Sequence, residues 1–379
     1  MLKIALKMLL ADKPKFFGFV FTITFAAFLI TQQVCVFVSI MKRTASQVYD
    51  IRDAAIWVAD PKTRYVDEVW PLQDGEVYRV RQATGVAWAV PLFKTLAIIK
   101  SPQGIFRSCL ILGIDDATFV GGPRKMLFGQ LEGLNQPDAV ILDKDGYEFF
   151  FPNQPFEVGQ TFELNDRRAF LVGICETEPP FQTVPVVYAK YSHALDFTGP
   201  QRRKLSFILA NPLPGYTVQE TCASIQETTG LAAFSRDEFA WKTIDYYLKH
   251  TGILINFGLT ITIAVLVGMV VSGQTFYLFT LENLKYFATL KAMGVRHAQI
   301  IKMILLQAVF GGVLGYCMGM GLAAFFFRRM AHYPATRTLV LRWEPMLAAG
   351  LIIVLIVSAV SILSLRRVLK LEPATVFRN

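Results

Sequence analysis

Histidine is scarce in this 379-residue sequence, with four in the whole chain. That leaves little for acid–base chemistry. The five cysteines form no CxxC pair and no His/Cys cluster with metal-ligand spacing. No GxxxxGK[ST] loop is present to cradle nucleotide phosphates. Gly121-Gly122-Pro123-Arg124-Lys125 is Gly-rich and basic, but its proline and the lack of a following Ser or Thr exclude it. Neither a nucleophile elbow nor an HExxH zinc motif occurs. Charge is low as well: 18% of residues are Asp, Glu, Lys or Arg, against about a quarter in soluble domains. A purely soluble enzyme is therefore a poor fit. With 53% hydrophobic residues and 31 Phe, the chain is also too apolar for disorder.

The apolar residues are concentrated. Four runs, 16–40, 251–281, 303–327 and 346–365, each reach the roughly 20 residues a bilayer requires. None contains Asp, Glu, Lys, Arg or His, and Gln32-Gln33 is the only strongly polar pair in the first. One such run is compatible with a buried core helix, but four in one chain favour membrane spans. The first run is too long for a signal peptide and has no small-residue cleavage site after it, so it is expected to be a retained anchor. Intramembrane ionisable residues mark proton relays and ion pathways. Their absence argues against an ion-driven transporter and against a voltage sensor.

The expected fold is an α-helical membrane protein with four transmembrane helices and a mixed α+β extracytoplasmic domain inserted between helices 1 and 2. The segments are a cytoplasmic amphipathic N-terminus (1–15), span one (16–40) and an α+β domain with a helical stalk (41–250). Span two (251–281), a cytoplasmic loop with a short helix (282–302) and span three (303–327) follow. A short outer loop (328–345), span four (346–365) and a cytoplasmic tail (366–379) complete the chain.

Charge follows the same division. The insert carries 22 Lys and Arg against 25 Asp and Glu; the remainder carries 16 against 4, out of 38 and 29 overall. A nucleic-acid partner would require a basic patch on the folded domain, and this balance argues against one. Lys3, Lys7, Lys13 and Lys15 precede span one. Lys285, Lys291, Arg296 and Lys302 separate spans two and three. Arg366, Arg367, Lys370 and Arg378 follow span four. The positive-inside rule places these three segments in the cytoplasm. The 328–345 loop, with Arg328, Arg329, Arg337 and Arg342, opposes that orientation and is outvoted three to one.

Within the insert, strands are expected at 54–59, 86–99, 106–114, 139–142, 184–189 and 205–210, and helices at 74–82 and 217–229, the latter stopped by Gly230. A hairpin is expected from 161–164 and 169–174 about Asn165-Asp166, a turn at 143–146, and a break at Pro212 and Pro214. Cys109, Cys175 and Cys222 lie here, so at most one disulfide is possible, and free buried thiols are favoured; Cys35 and Cys317 lie in spans. Trp241, Ile244, Leu248 and Thr251 have helical spacing with no breaker before span two. A continuous helix over 236–281 would be 46 residues, roughly 69 Å long, and would project beyond the bilayer as a stalk. A kink at Gly252 is the alternative. The segment 41–52 likewise extends span one.

Gly311, Gly315 and Gly319 form a GxxxGxxxG row on one face of span three, with Gly312 and Gly321 beside it. Small residues four apart let helices approach closely. The sequence leaves open whether the partner helix belongs to this chain or to a second copy. A substrate path is the functional alternative. In the inner loop, Leu284, Phe287, Leu290 and Met293 form a helical stripe that ends at Gly294. Such a helix either lies on lipid or docks a soluble partner.

The stretch Tyr286-Phe-Ala-Thr-Leu-Lys-Ala-Met-Gly-Val295 resembles the loop of the MacB/FtsX/LolC-like ABC transporter permeases (type VII, mechanotransmission), which often reads EIGILRALGA. Leu290-Lys291-Ala292-x-Gly294 carries the match, and Tyr286 stands where the family usually has Glu. The tail from Arg366 through Pro373-Ala374 to Phe377 and Arg378 looks like the family's ending. ATLKAMG, with segments 86–91 and 136–143, is closest to the DevC-like subgroup, whose permeases work with a separate ATPase and a membrane-fusion adaptor.

The resemblance implies a homodimeric transport subunit of the cell inner membrane with no catalytic residue, cofactor or metal of its own; ATP and Mg would be bound by a partner ABC ATPase. It implies an ATPase-coupling helix carrying Glu282, Asn283, Lys285, Tyr286, Phe287, Thr289, Leu290, Lys291, Met293, Gly294, Val295 and Arg296. It further implies a periplasmic adaptor and a hydrophobic or lipid-like substrate handled outside the lipid membrane. An FtsX-like regulator of an envelope enzyme, and a membrane-anchored sensor or scaffold without an ATPase, are the alternative functions.

Overall fold

The computed structural model describes residues 2–51, 53–199, 204–333 and 336–369. It divides into two compact units, residues 40–252 and the remainder. Leu2–Ala11 (α1) and Lys13–Thr44 (α2) open the chain. The 40–252 unit then runs through Ser46–Asp50 (α3), Ile56–Ala59 (β1), Glu76–Gln82 (α4), Val86–Lys100 (β2) and Phe106–Ile114 (β3). Lys125–Gly129 (β4), Ala139–Asp143 (β5), Lys144–Phe150 (α5), Thr161–Leu164 (β6) and Arg167–Glu176 (β7) follow. Val186–Lys190 (β8), Tyr191–Asp196 (α6), Phe207–Pro212 (β9), Val218–Thr229 (α7), Ala232–Ser235 (β10) and Arg236–His250 (α8) complete it.

The strands form one mixed sheet in the order β10-β1-β9-β2-β3-β8-β5-β7-β4, with β6 pairing β2 and β7. The 15-residue β2 joins its halves, pairing β9 over its first seven residues and β3 over its last eight. Strand side chains alternate between faces, and that alternation builds the core. Trp57, Val90, Leu92, Leu110, Ile141 and Leu209 point to one face, where Val48 of α3 and Phe239 of α8 cover them. On the other face α5 and α6 cover Phe93, Ile111 and Val140, while α4 and α7 cover Val58, Ala89 and Ile208. The sheet is thus buried on both sides, as its β-branched runs require.

Local signals explain the element ends. Thr217 and Ser235 cap α7 and α8 through capping boxes with Glu220 and Glu238. Asn165 and Asp166 take φ of 49° and 61°, the backbone that a two-residue hairpin between β6 and β7 demands. Two readings change. The 143–146 turn opens α5, with Asp143 as its N-cap accepting from the Gly146 N–H at 3.2 Å. The strands β4 and β10 lie at the sheet edges and had no clear alternation to announce them. Cys109, Cys175 and Cys222 are all free, buried thiols.

Asp143 is buried, and burial pushes its carboxyl up to about 7 despite the backbone N–H groups of Val186 and Gly146 that favour the anion. A raised carboxyl pKa means that folding takes up a proton between about pH 4 and 7. Stability from this group therefore falls as pH rises through that window and levels off above it. Asp143→Asn keeps the acceptor oxygen and removes the charge. Urea unfolding at pH 5 and pH 8 should show the variant's advantage growing by about 2 kcal/mol at the higher pH. A pH-independent difference would mean the carboxylate is solvated.

The second unit contains α1, α2 up to Ser39, Ile253–Glu282 (α9), Leu284–Ala292 (α10), His297–Met330 (α11) and Trp343–Leu369 (α12). Four of these helices, Lys13–Thr44, Ile253–Glu282, His297–Met330 and Trp343–Arg366, are long and apolar enough to cross a membrane. Phe19, Ile23, Ala27 and Ile30 of α2 lie at its core with Ile304, Ile356 and Phe276.

The expected continuous helix over 236–281 does not form. Helix α8 stops at His250 and α9 starts at Ile253, because Gly252 takes φ +67°, a left-handed conformation that terminates a right-handed helix. On the first strand of the expected stalk, α2 runs unbroken only to Thr44; Ala45 makes a turn before α3, and Ile51 is extended. Arg52 and the tail motif beyond 369 lie outside the described residues.

Candidate coupling helix and span interface

Helix α10 follows α9 after one residue. Asn283 is buried there, and its Nδ2 donates to the Phe279 carbonyl at 2.8 Å, satisfying an acceptor at the end of α9. Two residues then fix the helix from within: Phe287 and Ala288 are fully buried, and Phe287 joins the core of the spans. Leu290 and Lys291 are half-buried, and Val295 packs against the same core. Helix α10 ends in a Schellman turn, with Val295 N–H donating to Leu290 O at 3.1 Å and Gly294 N–H to Lys291 O at 3.1 Å. Gly294 has φ +84°, which only glycine adopts cheaply.

The opposite face is exposed. Lys285, Tyr286 and Thr289 project from it, Tyr286 with 63% of its surface accessible, and Arg296 lies exposed just beyond. The apolar stripe read from sequence holds for Phe287 and in part for Leu284 and Leu290, but not for Met293. Met293 is 74% exposed because the helix has already ended at Ala292 and the Schellman turn swings it outward. Glu282, exposed at the end of α9, pairs with Lys15 at the start of α2, and Lys15 also reaches Asp12 at 2.9 Å. In sequence, Lys15 is only one of four basic residues before span one. The signal for its role was an opposite charge, Glu282, at the end of another apolar helix. Gln307 was also missed: its Nε2 donates to Ala5 O at 2.8 Å and holds α1 on α11.

The glycine row settles the partner question for span three within this unit. A Cβ at Gly311 would meet the Phe19 ring at 2.5 Å. At Gly315 it would meet Ile23 Cβ at 2.7 Å, and at Gly319 Ala27 Cβ at 2.7 Å and Thr24 O at 2.8 Å. All three neighbours are on α2, so the row seats α11 on α2 of the same chain. Gly312 does the same toward Val357 of α12. Among the described residues no group of three His, Cys, Asp or Glu gathers where a metal ion could be held.

Residues 258–373 match the family described as FtsX-like permease C-terminal. No curated protein matches the chain. Among solved structures, the extracellular domain of the noncanonic ABC-type transporter YknZ from Gram-positive bacteria aligns with a TM-score of 0.38 and 9% identity, over 48% of this chain and 99% of that one. The periplasmic region of MacB from Actinobacillus actinomycetemcomitans aligns with a TM-score of 0.39 and 14% identity, over 53% of this chain and 96% of that one.

Proposed function

We propose that the chain, whose residues 258–373 match an FtsX-like permease family, is an ABC-type permease that transmits the movement of a separate ATPase to its α+β domain. The family implies an ABC ATPase partner. The observation that carries the reading is the division of α10 into two faces. Phe287 and Ala288 fix one face in the core of the spans, while Lys285, Tyr286, Thr289 and Met293 offer the other to a soluble protein. A push on the outer face then moves α9 and α11 as packed bodies, without requiring a charge or a substrate path inside the spans.

In this reading the termini are cytoplasmic, the membrane is the cell inner membrane, and two copies work with two ATPases and a periplasmic adaptor. The substrate is a hydrophobic or lipid-like export cargo, handled by the α+β domain outside the bilayer. Gly252 makes the α8–α9 connection a joint, so α2, unbroken from Lys13 to Thr44, is the stiffer conductor. Uncharged spans support a role in which no ion is conducted.

The test is co-purification. A tagged chain, gently solubilised from its native host, should bring down an ATPase with a Walker motif. Gly294→Pro should abolish that association: proline cannot take φ +84°, and it removes the N–H that Lys291 O accepts. Leu290→Asp should do the same. Both variants should still insert in the membrane. Undiminished ATPase recovery with either would sink the docking assignment.

A further inference from the structure

A buried ion pair and an orphaned amide oxygen meet beside a cavity in the α+β domain. Lys94 of β2 is 6% exposed. Its ammonium donates to Asp67 Oδ1 at 2.6 Å and to the Val66 carbonyl at 2.8 Å, so one of its three N–H groups remains. Gln47 of α3, also 6% exposed, donates from Nε2 to the same Asp67 oxygen at 3.3 Å. Its Oε1 is buried without a hydrogen-bond partner. Tyr247 of α8 donates its hydroxyl to Asp67 Oδ2 at 3.0 Å. Lys94, Asp67 and Gln47 line an open cavity of about 350 Å³, together with the apolar Val69, Leu96, Leu110, Pro180 and Val184 and the polar Thr95 and Gln182.

A buried acceptor calls for a donor. One water molecule would satisfy it but occupies only about 30 Å³, a small part of the cavity, and the apolar surface of Val69, Leu96, Leu110, Pro180 and Val184 is better covered by an apolar group than by water. The floor carries no net charge, since Lys94 and Asp67 neutralise each other. A charged head group would therefore lose hydration and meet no counter-charge. What fits is a neutral group that accepts from Lys94 and donates to Gln47, attached to an apolar body that covers the apolar surface.

We propose that this cavity binds a neutral amphiphile through a hydroxyl or primary amide head, and that this is the chemical class of the cargo or effector the domain handles. The ligand lies beside the hydrogen bonds by which α3 and α8 are held to Asp67, so its occupancy is linked to the two helices nearest the spans in sequence. The ligand's role rests on the permease reading above; its binding does not.

Hydrogen exchange of the full chain in lipid nanodiscs tests this, with 1-decanol, decanamide, decanoate, decylamine and decane as probes. Decanol and decanamide should slow exchange about fivefold in residues 93–98 and 180–187, and the two charged probes should not. Gln47→Leu should remove the effect by deleting the acceptor, and Val184→Trp should remove it by filling the space. Equal protection by decane would reduce the site to an apolar void. Strongest protection by decanoate would make it an anion site, and no protection at all would leave no ligand; each of these overturns the proposal. Lost protection with the ATPase still co-purifying would sink this inference alone, whereas protection without ATPase binding would sink only the permease reading.

Discussion

Gly319→Ala destabilises the packed spans by about 2 kcal/mol or more, while Gly321→Ala, two residues along the same helix, leaves them at least as stable as the parent. The difference lies in what each new methyl group meets. At Gly319 the contacts are Ala27 Cβ at 2.7 Å, the Thr24 carbonyl at 2.8 Å and the Phe28 nitrogen at 3.1 Å. Two of these are backbone atoms of α2, so the only relief is for the helices to separate, which loosens the whole row. At Gly321 nothing lies within 4 Å, and alanine gains helix propensity over glycine. Gly315 is intermediate: the nearest atoms belong to Ile23, with the Val20 carbonyl at 3.0 Å. Gly311 faces only the Phe19 ring, which can rotate aside, so its alanine variant should cost least of the three. The expected order of loss is Gly319, then Gly315, then Gly311. It can be read from denaturant titration of the full chain in detergent. Equal losses along the row, or a loss at Gly321, would mean that α11 does not seat on α2 in this way.

That row was visible in sequence as a pattern, but not as a contact. Three glycines four apart announce a close approach, yet the spacing carries no information about which helix approaches. The answer needed α2, far away in sequence, to present Ala27 and the Thr24 carbonyl at the right height. The spans themselves were legible because twenty uncharged apolar residues admit few other structures. Long strands were legible for a similar reason: β3 was read at 106–114 because the segment is rich in β-formers. What failed was local punctuation whose meaning depends on context. Asp143-Lys-Asp-Gly146 has the residues of a turn, but the same Asp side chain caps a helix once Gly146 N–H is within reach. Gly252 looked tolerable inside a helix because its cost there is only about 1 kcal/mol; with Thr251 before it, the chain takes the left-handed conformation instead. In α10, periodicity placed Phe287 inward correctly. It misplaced Met293, since a helical stripe has meaning only up to the residue where the helix stops. The Lys94–Asp67 pair had no signal at all, because a lysine within a strand reads as a solvent-facing residue until the fold closes over it.

Breaking that pair from either side should give unequal results. Burial, the largest single influence, would raise the Asp67 carboxyl, but the Lys94 ammonium and the hydrogen bonds from Lys94, Tyr247 and Gln47 together outweigh it and hold the carboxyl below its ordinary range; burial lowers the lysine in turn. Asp67→Ala strands a buried ammonium and also deprives the Tyr247 hydroxyl and Gln47 Nε2 of their acceptor. The loss should reach about 3–5 kcal/mol. Lys94→Met keeps the apolar stem and leaves Asp67 with two donors, so it should cost roughly half as much. The double variant Asp67→Leu with Lys94→Met replaces the pair by apolar groups of similar volume and should recover most of what Asp67→Ala loses. Trp57 sits fully buried against Phe207 and Phe239 in the same core, so tryptophan fluorescence during urea unfolding of the full chain reports this domain. The size of the coupling in such a cycle measures how firmly Asp67 ties α3 and α8 to the sheet. Simple additivity would mean that the two charges act separately, and that the last turns of α8 are held by the Tyr65, Tyr246 and Phe181 ring contacts rather than by the carboxylate.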